Sequence, residues 1–295
     1  MTRQVVPNRA LPAFRRATTG GAGSTTVARV GTVVERNRVT VSGDPSGRAL
    51  VFAHGFGCDQ TMWRHVTAEF ERDHRVVLFD HVGAGRSDLS AYDPEKYGSL
   101  DGYAGDIVEI CRELGLCDVV LVGHSVGAMM AVLAHHRAPE LVGALVLIGP
   151  SPRYVDDGEY VGGFSRTDIA GLLDALDSNH LGWSADMAPV IMGNADRPDL
   201  AAELTNSFCR TAPDIARQFA RVTFLSDNRA DLPGVAVPTL ILQCSDDAIA
   251  PDVVGEYVHR CIPGSELVRL AATGHVPQLS APEETAAAIR AFLDR

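Results

Sequence analysis

The stretch from Val119 to Ala134, VVLVGHSVGAMMAVLA, constrains the fold more than any other part of the chain. Val119 to Val122 are β-favouring and apolar throughout, the composition of a strand buried on both faces. Gly123-His124-Ser125-Val126-Gly127 makes a sharp turn, and Ala128 to Ala134 reads as a helix. A G-x-S-x-G pentapeptide is weakly specific alone, but between a strand and a helix it reads as a nucleophile elbow. The two glycines serve the close approach of strand and helix, where a Cβ would clash. Ser125 is then expected in a strained conformation, its hydroxyl exposed at a helix N-terminus, where the dipole favours negative charge.

At 295 residues the chain is long enough for one large domain with an insertion. Its net charge of −11 argues against nucleic acid or an anionic membrane as the main partner. No apolar run is long enough to span a bilayer as a helix. Cys58, Cys111, Cys117, Cys209, Cys244 and Cys261 form no C-x-x-C pair and no zinc-like cluster with histidine. They read as buried, reduced thiols in a cytoplasmic protein, and neither metal nor cofactor is called for.

Residues 1–34 are rich in arginine, lack acidic residues and contain Gly20-Gly21-Ala22-Gly23-Ser24. That composition also fits an organellar transit peptide, but the reading preferred here is a flexible tail outside the fold. From Val39 the chain alternates. Strands are expected at Val39–Val41, Ala49–Ala53, Val76–Phe79, Val119–Val122 and Ala144–Ile148, with helices near Met62–Phe70, Leu100–Leu114 and after the turn at Ser125. This is the pattern of a mostly parallel sheet with helices on both faces. Residues 151–233 break the alternation. Ser165 with Asp168 caps a helix through Leu176, and Trp183–Met192, Pro198–Cys209 and Pro213–Leu225 follow, with prolines where a first helical turn accepts them. An all-helical insertion above the strand carrying Ser125 reads as a lid. The core is therefore residues 35–150 and 234–295, resuming with Thr239–Gln243, Glu266–Leu270 and a last helix from Pro282 to Leu293.

A serine hydroxyl needs a base to become a nucleophile, and the base needs an orienting carboxylate. Of ten histidines, His275 alone lies downstream of the turn on a loop leaving a strand end, in Thr273-Gly274-His275. His135 and His136 belong on the solvated face of the helix after Ser125, and His54 reads as a structural residue of its loop. Asp246 and Asp247 compete for the carboxylate role. Asp247 stands four residues before Pro251, which opens the next helix, so Asp246 becomes the turn residue. Two backbone N–H groups must receive the developing negative charge, those of Phe56 and Val126. The Gly-rich loop from Asp80 to Ser87 lacks a phosphate-binding pattern and reads as tight packing.

Together HGFG, D-x-x-G-x-G-x-S and GHS-x-G resemble the α/β-hydrolase superfamily. More narrowly, AHGFGCDQTMW (Ala53 to Trp63), GHSVGAMM (Gly123 to Met130), IGPSPRY (Ile148 to Tyr154) and GGF (Gly162 to Phe164) resemble the RsbQ-type bacterial stress regulators and the plant karrikin and strigolactone receptor hydrolases. The insertion adds Gly182-Trp183, Ala188 to Gly193 and FLSDNR (Phe224 to Arg229). The likeness runs from about Val39 to the C-terminus. It implies a four-helix lid over an apolar pocket, slow hydrolysis of a small apolar ester or lactone by Ser125, Asp247 and His275, and a signalling output. For the RsbQ type it also implies a PAS-domain phosphatase partner upstream of a stress sigma factor. Phe164, Met187, Val190, Phe208, Phe219, Phe224 and Val276 fit such a pocket, beside Phe56 and Val126. A partner-free metabolic esterase or lactonase, and a cofactor-free perhydrolase, use the same site residues and remain open at this point.

Overall fold

The computed structural model describes residues 32–295. It opens with one helical turn, α1 (Val33–Arg36), closed by a capping box between Thr32 and Glu35. Val33, inside the range expected to be tail, is buried and packs with the core. The remainder of that expected tail lies outside the described residues.

Strands β1 (Thr40–Gly43), β2 (Ala49–Ala53), β3 (Arg75–Leu78), β4 (Val119–His124), β5 (Val142–Ile148), β6 (Thr239–Ser245) and β7 (Glu266–Thr273) form one sheet in the order β1-β3-β2-β4-β5-β6-β7. Only β1 runs antiparallel, against β3; every other pairing is parallel. β2 and β4 are buried along their whole length, which explains why both read as continuous apolar runs. Their alternate side chains feed two cores. Val51, Val119 and Leu121 pack with Ile107 and Met129 of the helices α3 (Leu100–Glu113) and α4 (Val126–Arg137). Leu50, Phe52, Val120 and Val122 face the other way, into a core shared with Trp63 and with Leu173, Trp183 and Leu204 of the insertion.

The helix expected at Met62–Phe70 is instead a 3₁₀ turn (Gln60–Trp63) followed by the single turn α2 (Arg64–Thr67). The tightening is local: Asp59 caps the Thr61 N–H at 2.9 Å, and Phe70 N–H bonds back to Thr67 by an i→i+3 contact. In the Gly-rich loop the Asp80 carboxylate accepts from the Gln60 and Arg86 N–H groups at 2.9 and 2.8 Å. Gly85 makes room for it, since a Cβ there would lie 2.5 Å from the carboxyl carbon.

The insertion between β5 and β6 is four helices, α5 (Arg166–Ser178), α6 (His180–Met192), α7 (Pro198–Arg210) and α8 (Pro213–Phe224). Ser165 and Asp168 form the expected capping box, and Pro198 and Pro213 occupy first turns. α6 starts before Trp183 because Asn179 caps the Gly182 N–H at 3.0 Å. Helices α9 (Asp252–Cys261), α10 (Pro277–Ser280) and α11 (Pro282–Leu293) complete the chain. No helix among the described residues is long and apolar enough to cross a membrane.

Candidate active site

Ser125 joins β4 to α4 with φ 56° and ψ −125°, a conformation that costs a non-glycine residue about 1–3 kcal/mol. The surroundings hold it there. Its N–H donates to the Ile148 carbonyl of β5 at 2.8 Å, and its own carbonyl accepts from Ala128 N–H at 2.9 Å. A Cβ on Gly123 would stand 2.4 Å from the Gly127 oxygen, and one on Gly127 would stand 2.6 Å from the Ala53 oxygen. The two flanking glycines are thus explained by backbone contact. The hydroxyl is not exposed as expected: Ser125 is 5% accessible, because the insertion covers it.

His275 follows β7 on a turn made by Gly274 (φ 82°), where a Cβ would overlap the Met192 carbonyl at 2.0 Å. His275 Nδ1–H donates to Asp247 Oδ2 at 2.7 Å. The other oxygen, Oδ1, accepts from the Ile249 and Ala250 N–H groups at 2.8 and 2.9 Å. Burial alone would raise the Asp247 pKa, but the neighbouring His275 and these hydrogen bonds outweigh it and hold the carboxyl below its ordinary value. Asp246 is exposed, with φ 49°, a left-handed turn position that Asp tolerates.

With Nδ1 turned to the carboxylate, Nε2 is the ring nitrogen left free for the serine. It is buried and has no partner among the described residues. Ser125 Oγ instead meets the Tyr154 hydroxyl at 3.4 Å. Ser125 and His275 nevertheless line one cavity.

The histidine backbone is pinned on both sides. Its carbonyl accepts from His124 Nε2–H at 2.7 Å, and its N–H donates to the Ile191 carbonyl of α6 at 2.9 Å. Burial and the adjacent His275 push the His124 pKa down to about 3, so the His124 ring is a neutral donor. His54 Nδ1–H donates to the Gly55 carbonyl at 2.9 Å, and its Nε2 accepts from His81 N–H at 3.1 Å, which fixes the loop before Phe56. Among the described residues neither the Phe56 nor the Val126 N–H makes a hydrogen bond. Both remain available to an oxyanion.

Phe208, Phe224 and Val276 line the cavity, with Phe56. Five other residues expected there, Val126 among them, do not. Val190 is 52% exposed, on the outer face of α6, because Trp183, Ala188 and Ile191 form the inward stripe of that helix. Ile191 supplies the wall in its place, and the helical spacing from Ala188 was a signal available in the sequence. Phe164 and Met187 are half-buried against the insertion core. Phe219 stacks on Tyr103, with centroids 4.8 Å apart, and lines a neighbouring cavity. The sequence reading also missed Cys58, His124, Tyr154, Leu204, Thr223 and Ile249, which complete the lining. His135 is buried, not solvated, because the Ala236 N–H donates to its Nε2 at 3.4 Å. All six cysteines are free; Cys58, Cys111 and Cys244 are buried, whereas Cys117 is exposed. Among the described residues no group of side chains could hold a metal ion.

A mostly parallel sheet that presents a strained serine at one strand end and an Asp–His pair at two others is the architecture of a hydrolase, with the candidate site on the carboxyl edge of the sheet. The chain belongs to the alpha/beta hydrolase family, whose model matches residues 50–288. It is 38% identical over 255 residues to the karrikin insensitive 2 receptor CA of Petunia hybrida, covering 86% of this chain and 94% of that one. The strigolactone esterase D14 of Arabidopsis thaliana is 39% identical over 259 residues, or 88% and 96% of the two chains. Among solved structures, olei00960, a hydrolase from Oleispira antarctica, is 38% identical, with a TM-score of 0.87 and coverage of 89% and 96%.

Proposed function

We propose that this protein is a serine esterase or lactonase acting on a small, apolar substrate, with Ser125 as nucleophile, His275 as base and Asp247 as its orienting carboxylate. Ester-bond hydrolysis is the reaction class of a family member that resembles named esterases. The observation that carries the finer reading is the buried Asp247–His275 pair, which lines one cavity with the strained Ser125 and whose Nε2 has no partner among the described residues.

Ser125 Oγ adds to the substrate carbonyl while His275 Nε2 takes its proton, and Asp247 stabilises the imidazolium. The Phe56 and Val126 N–H groups receive the oxyanion. The alcohol leaves with the proton from His275, and water then attacks the acyl-serine with the same base. The helical insertion acts as the lid that keeps bulk water out. A panel of phenyl acetates and small lactones tests this: wild type should turn over members of the panel, and Ser125→Ala should lose that turnover. Retained turnover in Ser125→Ala would overturn the assignment.

A second reading is favoured by one observation: the 38% identity to a receptor runs over 86% of this chain, a span that takes in most of the core and insertion. In this reading the hydrolase signals through its lid, with a PAS-domain phosphatase of a cytoplasmic stress response as the partner that its RsbQ-like motifs imply. Ligand-dependent co-purification with such a phosphatase is expected; a phosphatase that stays unbound with and without hydrolysable lactone would leave the partner-free enzyme.

A further inference from the structure

Behind the Phe56 and Phe208 rings lies a second, smaller cavity. Those two rings line both cavities, with centroids 5.9 Å apart, and so form the partition between them. Phe208 can occupy that place because residue 57 is glycine; a Cβ there would stand 1.9 Å from the ring, and its φ is 68°. The far walls include His81, Val82, Trp183, Ile215, Ala216 and Phe219.

Two of these residues carry a polar atom that the fold leaves unexplained. His81 Nδ1 and Trp183 Nε1 are buried without a hydrogen-bond partner among the described residues, on side chains 1% and 5% exposed. Leaving such a group unsatisfied is destabilising, so two such residues lining one cavity point to a ligand that satisfies them. Their chemistry is defined. His81 donates through Nε2–H to the His54 carbonyl at 3.0 Å. Burial, with the neighbouring His54, holds the His81 ring neutral, and Nδ1 therefore accepts. Trp183 Nε1–H can only donate. Burial also lowers the pKa of His180, in the same wall, and no carboxylate, lysine or arginine lines the space.

We infer that this second cavity binds the alcohol part of the substrate: an uncharged, largely apolar group bearing a carbonyl or hydroxyl oxygen, admitted when the Phe208 ring swings aside. The inference rests on the esterase reading and deepens it. A charged group would lose its hydration against neutral walls with nothing to pair it. The acyl part stays beside Ser125, and the alcohol released by cleavage departs from the second cavity.

The test compares kcat/KM for naphthyl acetate with that for the smaller vinyl acetate, so that each variant is read as a ratio. Ala216→Leu fills the second cavity and should lower the ratio by about tenfold or more, the scale set by excess methylenes in an apolar site. Ile215→Trp, at a half-buried wall position, is a second filler that should act in the same direction. Phe208→Ala should raise the ratio, and adding Ala216→Leu should cancel the rise. Trp183→Phe should weaken discrimination in favour of acetylphenyl acetate over phenyl acetate. A wild type inactive on every ester overturns the esterase reading and this inference with it. Turnover with a ratio unmoved by both fillers, or a Phe208→Ala gain that survives the filler, overturns the inference alone.

Discussion

A buried serine reacts only if a neutral imidazole can take its proton, so the sharpest expectations concern single residues. Ser125→Ala and His275→Ala should each remove esterase turnover, and the double variant should be little slower than either, because such groups act as a unit. Multiplicative losses in steady-state kinetics would contradict that. Asp247→Asn should lower kcat by orders of magnitude, since an amide loses the charge opposite the imidazolium and favours the wrong tautomer. Asp246→Asn, at an exposed turn, should change kcat by less than about tenfold. A reversal of the two would assign the wrong carboxylate. These residues were legible in the sequence because each role demands a side chain on a loop leaving a strand end. His124 and Tyr154 were not. They face the site from the elbow's variable position and from the loop after β5, and nothing in local spacing tells that His124 donates to the His275 carbonyl or that Tyr154 meets Ser125 Oγ.

Between elements, the decisive joint is where α6 of the insertion ends on the His275 loop. Besides the His275 N–H to Ile191 contact, Asn194 Nδ2 donates to the Met192 carbonyl at 2.7 Å and to the Thr273 carbonyl at 3.0 Å. Gly193, with φ 69°, closes the helix between them. Asn194 is therefore a positioning residue that ties insertion to base. Asn194→Ala should lower kcat about tenfold with KM nearly unchanged, because the substrate pocket stays while the base loses its alignment. A rise in KM at constant kcat would show a role in lid packing only. The helices themselves were readable from Ser165, Pro198 and Pro213, and the strands from apolar runs. The contact between α6 and the His275 loop was not, since it is made largely by backbone groups 79 to 84 residues apart in the chain. Val190 departs from the expected lining for a simpler reason: the helical stripe of Trp183, Ala188 and Ile191, not hydrophobicity alone, sets the inward face of α6.

For the whole molecule, three histidines buried in the site region, His54, His81 and His124, are held below their ordinary pKa chiefly by burial. Above about pH 6.5 they are neutral in both folded and unfolded chains and contribute no pH dependence. Below it the unfolded chain binds protons that the folded one refuses, so stability falls with acid, by up to about 1.4 kcal/mol per pH unit for each histidine. The Asp247 carboxyl adds to this only at lower pH: its stabilisation is present above the ordinary carboxylate value and is lost as pH falls through the depressed folded value. Urea midpoints should therefore drop from pH 7.5 to about pH 5, before carboxylates titrate; a flat profile over that range would contradict neutral buried histidines. The central claim is covalent chemistry at Ser125, and the intact mass of the protein reads it directly. Exposure to a slowly hydrolysed apolar lactone should add the mass of the whole lactone, since ring opening expels nothing, map to Ser125, decay with turnover and be absent from Ser125→Ala. Turnover of that lactone with an adduct on another residue, or unchanged in Ser125→Ala, would contradict the account.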